Sequence, residues 1–262
     1  MTKKYAIANQ KGGVGKTTTS VNLAASLAAT KKNVLLIDLD PQGNATMGSG
    51  IDKSNLSLSI YDVLVGECEI NEAIAYSESG GFSVLPANAD LTAAEVEMLN
   101  LENKEYRLDN ALKALSQSFD FIIVDCPPSL NMLTVNALVA CDGVIIPMQC
   151  EYYALEGLSA LVSTINQIQA VLNPELSIAG ILRTMYDPRN SLTNDVSAQL
   201  SEYFSDRLYR TCIPRNVRLA EAPSYGQPAL IYDRQSKGAI AYLALAGEIL
   251  RRNDVASKAE LA

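Results

Sequence analysis

The sequence lacks histidine and tryptophan, and its five cysteines are scattered along the chain. No two cysteines have the Cys-x-x-Cys spacing of a zinc site, and histidine, the other common zinc ligand, is absent. An odd number of dispersed cysteines does not indicate a disulfide framework, so we expect reduced thiols, as in the cytoplasm. No apolar run approaches the ~18 residues of a membrane-spanning helix, and we expect no secretory signal.

The remaining composition is that of an ordinary globular protein. The 262 residues are 48% hydrophobic and 19% charged, and this length lies near the upper limit for one hydrophobic core. No internal repeat, low-complexity tract or long linker divides the sequence. We therefore expect a single domain that covers residues 1–262.

Positive charge is unevenly distributed in this acidic chain. The formal net charge is −8. Nine of the ten arginines, all but Arg107, lie in residues 183–252. With Lys237 this segment has ten positively charged and seven acidic residues, a net charge of +3. The rest of the chain therefore carries −11, the difference between −8 and +3. The overall acidity argues against nucleic-acid binding. Charge alone favours the interpretation that the arginines are solvated or form local ion pairs. A basic patch on part of the surface is the alternative interpretation.

Short apolar runs alternate with segments of helical periodicity, which is typical of an α/β fold with a mostly parallel, twisted sheet and helices on both faces. The predicted strands are residues 5–8, 34–38, 82–85, 121–125, 143–148, 178–185 and 208–213. Three groups of apolar residues at helical spacing predict helices: Leu155, Leu158, Leu161, Ile165, Ile168 and Leu172; Leu108, Leu112 and Leu115; Ile240, Leu243, Gly247 and Leu250.

A glycine-rich loop follows the first predicted strand and precedes a predicted helix. Glycines let backbone N–H groups surround phosphate oxygens, and the helix N-terminus adds donors and a positive dipole. Lys16 is placed to reach β- and γ-phosphates, and the Thr17 hydroxyl to bind Mg²⁺. Gln10 replaces the first glycine of the usual G-x-x-x-x-G-K-[ST] spacing, and Lys11 is an added lysine. The sequence predicts a P-loop NTPase with a deviant Walker A loop: Lys11, Gly12, Gly13, Val14, Gly15, Lys16, Thr17 and Thr18.

Acidic residues end two further predicted strands. Asp38 and Asp40 follow one apolar run, and Asp125 closes another. Because the carboxyl ends of parallel strands meet at one edge of a sheet, these carboxylates are expected beside the glycine-rich loop. Asp125 is placed to hold Mg²⁺ through water, as a Walker B residue does. Either Asp38 or Asp40 is a candidate to orient the metal or the attacking water.

Five segments together carry a recognisable pattern: residues 11–17, 40–44 (Asp-Pro-Gln-Gly-Asn), 125–128 (Asp-Cys-Pro-Pro), 149–158 and 213–224. In these motifs the chain resembles the ParA/Soj chromosome- and plasmid-partitioning ATPases. The resemblance extends from residue 4 to residue 252. The first motif alone indicates only the wider deviant Walker group, whereas the last two segments are more specific to the partitioning proteins.

The resemblance implies an ATPase that uses ATP and Mg²⁺ and forms a sandwich homodimer with ATP. In such a dimer Lys11 reaches the partner subunit's phosphates and supplies charge as an arginine finger does. Asp40 matches the acid needed for hydrolysis, and Asp125 matches the metal-supporting acid. Pro214 and Asn216 match positions near the adenine base.

The resemblance also implies that the ATP-bound dimer binds double-stranded DNA without sequence preference. Arg189 and Arg218 match DNA-contacting arginines of the family, and both lie in the arginine-rich residues 183–252. Dimerisation doubles that local charge, which reconciles DNA binding with an acidic chain. A ParB-type centromere-binding partner is expected to stimulate hydrolysis and release the dimer, and the protein is expected on the nucleoid in the cytoplasm.

One departure from the family and three alternative functions accompany this interpretation. Some partitioning ATPases carry an N-terminal DNA-binding extension, and we expect none here because the glycine-rich loop begins at residue 11. A MinD-like membrane ATPase needs a basic amphipathic C-terminal helix, whereas residues 253–262 are slightly acidic and lack an apolar face. An iron–sulfur ATPase needs more cysteines near the nucleotide than Cys126 and Cys150. A DNA-binding switch timed by slow hydrolysis is compatible with the main interpretation.

Overall fold

Eight strands form one mixed sheet at the centre of the molecule. The structure is a computed structural model that describes residues 2–152 and 154–260. The spatial order of the strands is β3-β4-β2-β5-β1-β6-β7-β8, and only β3 runs antiparallel to its neighbour. The strands are β1 (Lys3–Ile7), β2 (Val34–Asp38), β3 (Ala75–Ser77), β4 (Phe82–Leu85), β5 (Phe121–Asp125), β6 (Gly143–Gln149), β7 (Ser177–Tyr186) and β8 (Leu208–Pro214).

Helices connect the strands and cover both faces of the sheet. Within the described residues they are α1 (Lys16–Ala29), α2 (Asn44–Gly48), α3 (Ile60–Val65), α4 (Ile70–Ala73), α5 (Leu91–Met98), α6 (Arg107–Lys113), α7 (Met132–Ala140), α8 (Ala154–Val171), α9 (Ser191–Phe204), α10 (Val217–Glu221), α11 (Ala229–Tyr232) and α12 (Lys237–Glu260). Short 3-10 turns lie at Lys53–Asn55, Lys104–Tyr106, Ser205–Arg207 and Ala222–Tyr225. Over the part of the chain described, none of these helices combines the length and apolarity needed to cross a bilayer.

The hydrophobic core lies in two layers, one on each face of the sheet. Every residue of β2 and of β5 is buried, so these strands are apolar on both faces. Along β2, Leu35 and Ile37 pack into the layer beneath α3 and α5–α8, whereas Leu36 packs into the layer beneath α1 and α12. This alternation follows from the two-residue period of a strand. The predicted α/β fold with helices on both faces is confirmed.

The seven predicted strands are present, with boundaries that differ by no more than two residues from those predicted. The sequence missed β3, a three-residue antiparallel strand at the edge of the sheet. The predicted helix at residues 155–172 is α8, and its buried side includes Leu158, Leu161 and Ile165. The helix predicted from Leu108 and Leu112 ends at Lys113, so Leu115 lies beyond it.

The last predicted helix is present, but the residues that indicated it do not form its buried face. Ile240 is 55% exposed, and Leu243, Gly247 and Leu250 are only partly buried. The face that packs on the sheet contains Ala239, Tyr242, Leu245, Ala246 and Ile249. Small alanines contribute to this face, so the strongest apolar residues are not the best guide to it.

Candidate nucleotide-binding site

The glycine-rich loop joins β1 to α1 at the carboxyl edge of the sheet. Gly13 has φ 73° and Gly15 has φ 88°, a backbone region that side chains with a Cβ rarely adopt. No atom lies within 4 Å of a Cβ built at Gly12 or Gly13, so the loop surrounds open space. Gly15 caps α1, and the first free N–H groups of that helix face the loop. This geometry is what a phosphate-binding loop requires, and phosphate binding by these residues stays a prediction.

The two lysines of the loop have different surroundings. Lys16 is buried, its Nζ donates to the carbonyl oxygen of Lys11 at 3.3 Å, and burial lowers the pKa of its amine while the nearby Asp125 opposes that shift. The Lys11 side chain is 44% exposed, and its Nζ forms an ion pair with Glu151 at 2.5 Å. Lys16 is therefore fixed at the cradle, whereas Lys11 lies at the molecular surface.

Asp125 lies at the end of β5, between β1 and β2, and is fully buried. Its Oδ1 accepts a hydrogen bond of 2.7 Å from the Ser20 hydroxyl, and its Oδ2 forms no hydrogen bond with the residues that the structure describes. The Thr17 side chain, like that of Ser20, lowers the pKa of Asp125. Burial, followed by the charge of Asp38, raises the pKa of Asp125 to about 8. A buried carboxylate oxygen without a partner at this position is suited to a cation or to a water bound to one.

Asp38 and Asp40 occupy different environments, although only Leu39 separates them. Asp38 is fully buried and accepts hydrogen bonds from the amide of Asp40 and from the amide and hydroxyl of Thr46. Burial raises its pKa to about 6. Asp40 is partly exposed and borders the cavity at the loop, with one oxygen accepting from the Gln42 amide at 2.9 Å. Of the two candidates, Asp40 is the one that faces the cavity.

Two neighbouring cavities bring most of the predicted nucleotide contacts together, although Lys11 and Val14 line neither cavity. The first has a volume of about 280 Å³ and is lined by Gly12, Gly13, Gly15, Lys16, Thr17, Thr18, Asp40, Asn44, Pro128 and Met185. The second, of about 210 Å³, shares Gly15, Thr18 and Met185 with the first. Its wall includes Pro214 and Asn216, the residues predicted near the base. The structure therefore joins a phosphate cradle to a neighbouring pocket of mixed polarity.

Arg189 and Arg218 follow neighbouring parallel strands at the same edge of the sheet. Arg189 comes after β7 and Arg218 lies on α10 after β8. Both side chains are exposed, and both are paired within the chain. Arg189 pairs with Asp187 at 2.8 Å, and Arg218 pairs with Glu221 at 2.8 Å and Asp233 at 3.3 Å. Phosphate groups would have to compete with these acids.

Sequence reasoning missed three residues that support the site. Ser20 contacts Asp125 from α1, one turn after Lys16. The Thr184 hydroxyl donates to the carbonyl oxygen of Val14 at 2.8 Å and fixes the middle of the loop. Glu151 pairs with Lys11. The sequence did offer a sign of Thr184, since it lies near the end of a predicted parallel strand, where site residues are expected. Tyr153, in the motif of residues 149–158, lies outside the described residues.

The donors at this edge fit Mg²⁺ bound together with nucleotide phosphates. Mg²⁺ bound with nucleotide takes one or two carboxylates, phosphate oxygens and water, and in P-loop NTPases also the hydroxyl of the loop Ser or Thr. Asp125 offers the carboxylate, and Thr17, which lines the cavity, offers the hydroxyl. In the described ranges no three histidine, cysteine or acidic side chains are grouped to bind a metal by themselves. Cys126 is buried, and burial raises the pKa of its thiol well above its ordinary value.

Comparison with known proteins identifies the family. The AAA domain family matches residues 2–178. The chain is 52% identical to the sporulation initiation inhibitor protein Soj of Bacillus subtilis, over 95% of this chain and 98% of that protein. It is 51% identical to the chromosome partitioning protein ParA of Myxococcus xanthus, over 94% and 87%. The chain belongs to the ParA/Soj family of chromosome-partitioning ATPases. The predicted resemblance and the predicted ATPase activity are confirmed.

A solved relative of this ParA/Soj chain carries nucleotide. Cobyrinic acid a,c-diamide synthase from Mycobacterium smegmatis, with a bound ATP analogue and magnesium, superposes with a TM-score of 0.85 at 39% identity. The match covers 97% of this chain and 96% of that one. A relative with this fold therefore binds ATP-like nucleotide with magnesium.

Proposed function

We propose that this partitioning ATPase binds Mg²⁺·ATP, forms an ATP-dependent homodimer and binds DNA without sequence preference. We further propose that a ParB-type partner stimulates hydrolysis and releases the dimer from DNA. The observation that carries the proposal is the division between the two loop lysines: Lys16 is buried at the cradle, and Lys11 lies at the surface. A lysine that belongs to a phosphate loop and yet points outward is suited to the phosphates of a second subunit.

Each residue of the site has a role that its position supports. The backbone N–H groups of residues 12–18 and the Lys16 ammonium bind the phosphates. Thr17 and Asp125 hold Mg²⁺, which when bound neutralises phosphate charge. Asp40, at the cavity wall, orients the attacking water or a water of the metal. Lys11 of the second subunit stabilises the charge that develops during phosphoryl transfer.

Proximity in the chain supports coupling between nucleotide and DNA. Pro214 and Asn216 border the pocket beside the loop, and Arg218 follows on the same turn, where its amide donates to the Asn216 side chain at 3.0 Å. We propose Arg189 and Arg218 as phosphate contacts, since both are exposed and follow adjacent strands. DNA phosphates then replace the acidic partners that these arginines have in the free protein.

Lys11→Ala tests the proposal directly. The variant should bind ATP nearly as well as the wild type, because Lys16 and the loop amides remain, but it should neither dimerise, hydrolyse ATP nor bind DNA. Nucleotide binding is measured by fluorescence, dimerisation by analytical ultracentrifugation with a non-hydrolysable ATP analogue, and DNA binding on an unrelated duplex. Asp40→Ala should dimerise with ATP and remain on DNA without hydrolysis.

Lys32→Ala is the matched control, because Lys32 lies just before β2 at the opposite edge of the sheet. This substitution removes one lysine and should leave ATP binding, dimerisation, ATP hydrolysis and DNA binding unchanged. A Lys11→Ala protein that dimerises and hydrolyses normally would contradict the trans role. If wild-type protein hydrolyses ATP but binds no DNA in any nucleotide state, a flotation assay with anionic lipid vesicles examines the MinD-like membrane alternative.

A further inference from the structure

Asp38 is a fully buried carboxyl group that no proposed step of hydrolysis uses. It lies at the end of β2 and pairs in register with Asp125 on β5. Its position beside the metal-supporting acid suggests a metal ligand at first sight. The hydrogen bonds of its two oxygens indicate a different role.

Both oxygens of Asp38 are occupied by groups of its own chain. Oδ1 accepts from the amide of Asp40 at 3.1 Å. Oδ2 accepts from the amide and from the hydroxyl of Thr46, each at 2.8 Å. Asp125 differs, because one of its oxygens forms no hydrogen bond within the described part of the chain. A carboxylate that already accepts three hydrogen bonds and is closed to solvent is poorly placed to bind a metal ion or a water.

The Thr46 hydroxyl continues the connection to the next strand. While its proton goes to Asp38, its oxygen accepts from the amide of Ala87 at 2.9 Å. Ala87 follows β4, so the Asp38–Thr46 pair links the ends of two neighbouring strands to α2. Thr46 is also fully buried, so water does not compete for these hydrogen bonds.

The segment that lies between the two ends of this connection is residues 40–45, which begins with Asp40. The Gly43 amide donates to the carbonyl oxygen of Asp40 at 2.8 Å, and the Gln42 amide donates to its side chain. At Gly43 an added Cβ would lie 2.7 Å from the carbonyl oxygen of Ala87, so the segment packs tightly on the same β4 end. The segment that begins with Asp40 is therefore fixed at both ends. Asp38 accepts from the Asp40 amide at one end, and Thr46 is bonded to Asp38 and Ala87 at the other.

We propose that Asp38 is a positioning residue which, together with Thr46, fixes the segment that carries Asp40, and that it does not bind the metal or the substrate. This inference rests on the role of Asp40 in the proposed function. It assigns separate roles to the two acids of the Asp38-Leu39-Asp40 sequence. The acid that faces the cavity acts on the reaction, and the buried acid holds it in place.

The test compares Thr46→Val with Thr46→Ser. Valine replaces the hydroxyl with a methyl group of similar size, whereas serine keeps the hydroxyl and loses the methyl group. Thr46→Val should lower kcat for ATP hydrolysis by about 10- to 100-fold, the effect of a displacement of about 1 Å in a reacting group, with KM for ATP within about twofold. Thr46→Ser should restore kcat. The Mg²⁺ concentration for half-maximal rate should be unchanged in both, since no metal ligand is altered.

Two further measurements separate positioning from stability. Hydrogen exchange of the amides of residues 40–46, without nucleotide, should be faster in Thr46→Val than in Thr46→Ser or wild type. Asp38→Asn should reproduce the kcat loss, because an amide cannot accept from all three donors, and Asp38→Asn with Thr46→Val should be no slower than Asp38→Asn alone. Thermal unfolding of each variant confirms that the rates refer to folded protein.

The outcomes distinguish this inference from the proposed function. If Asp40→Ala is inactive while Thr46→Val hydrolyses and exchanges as the wild type does, the positioning role is wrong and the role of Asp40 stands. If Asp38→Asn raises the Mg²⁺ requirement and Thr46→Val does not, Asp38 is a metal ligand and the inference is overturned. If Asp40→Ala hydrolyses normally, the role of Asp40 is wrong, and the exchange data alone decide whether Asp38 orders the segment.

Discussion

Asp125 shows how burial at a single residue prepares a site for a cation. Its hydrogen bond from Ser20 favours the charged form, but burial and the charge of Asp38 outweigh it and raise its pKa to about 8. In the protein without ligands, Asp125 therefore holds a proton at neutral pH. A divalent cation that binds here must displace that proton, so cation affinity rises with pH up to the pKa of Asp125.

Asp125→Asn should flatten the dependence of stability on pH. The unfolded chain loses the Asp125 proton near the ordinary pKa of 3.8, whereas the folded protein keeps it up to about pH 8. Proton binding by the folded state therefore stabilises it fully below about pH 4, and this contribution is lost as pH rises towards 8. The Tm of nucleotide-free wild type should fall from about pH 5 to about pH 8, and that of Asp125→Asn should fall less.

A residual slope is expected in the variant, because Asp38 has a raised pKa of about 6 and titrates in the same direction. Asparagine keeps an oxygen that can accept from Ser20, so the comparison changes charge more than packing. Parallel Tm curves for the two proteins would contradict the raised pKa of Asp125.

The sequence revealed the residues of this site that belong to local motifs. Spacing within the loop identified Lys16 and Thr17, and strand ends identified Asp125. The Ser20–Asp125 contact joins positions 105 residues apart, and the Asp38–Thr46–Ala87 connection depends on β2 and β4 being neighbours. Strand order is a property of the tertiary fold, so local patterns did not predict these contacts.

At the scale of elements, the sequence predicted which helices and strands are present better than it predicted which face of a helix is buried. Strands with continuous apolar runs, such as β2 and β5, were predicted at their observed boundaries. The three-residue β3 pairs with β4 only, and it is too short for an alternating pattern to stand out. The face of α12 was not identified, because alanines supply part of the buried side and a large apolar residue, Ile240, lies on the exposed side.

Leu245→Ala and Ile240→Ala test the orientation of α12 as a matched pair. Leu245 is fully buried against α1 and the sheet, so its truncation should lower the free energy of unfolding by about 2–5 kcal/mol. Ile240 is 55% exposed, and its truncation should change the free energy by no more than about 0.5 kcal/mol. Urea unfolding followed by circular dichroism measures both. Similar losses in the two variants would mean that the helix packs on a different face.

At the scale of the whole molecule, the carboxyl edge of the sheet brings together the residues of two proposed functions, nucleotide binding and DNA binding, which lie far apart in the sequence. The glycine-rich loop and the strand-end acids come from the first half of the chain, and Arg189 and Arg218 come from the second. The chain folds them to one edge because β7 and β8 extend the same parallel sheet as β1. The single domain over residues 1–262 stays a prediction. The shared edge is where we propose that the bound nucleotide influences the two arginines.

The dependence of DNA affinity on salt measures how many phosphates this edge contacts. Each neutralised phosphate on duplex DNA contributes a slope of about −0.9 to log K against log salt concentration. A dimer has two copies of Arg218, so Arg218→Ala should make the slope shallower by about 1.8, with a similar loss on any duplex sequence. Lys32→Ala, which removes a positive charge at the opposite edge, should leave the slope unchanged, because that edge does not face DNA in this arrangement. Equal effects of the two variants would mean that overall charge, and not the edge formed by β7 and β8, governs binding.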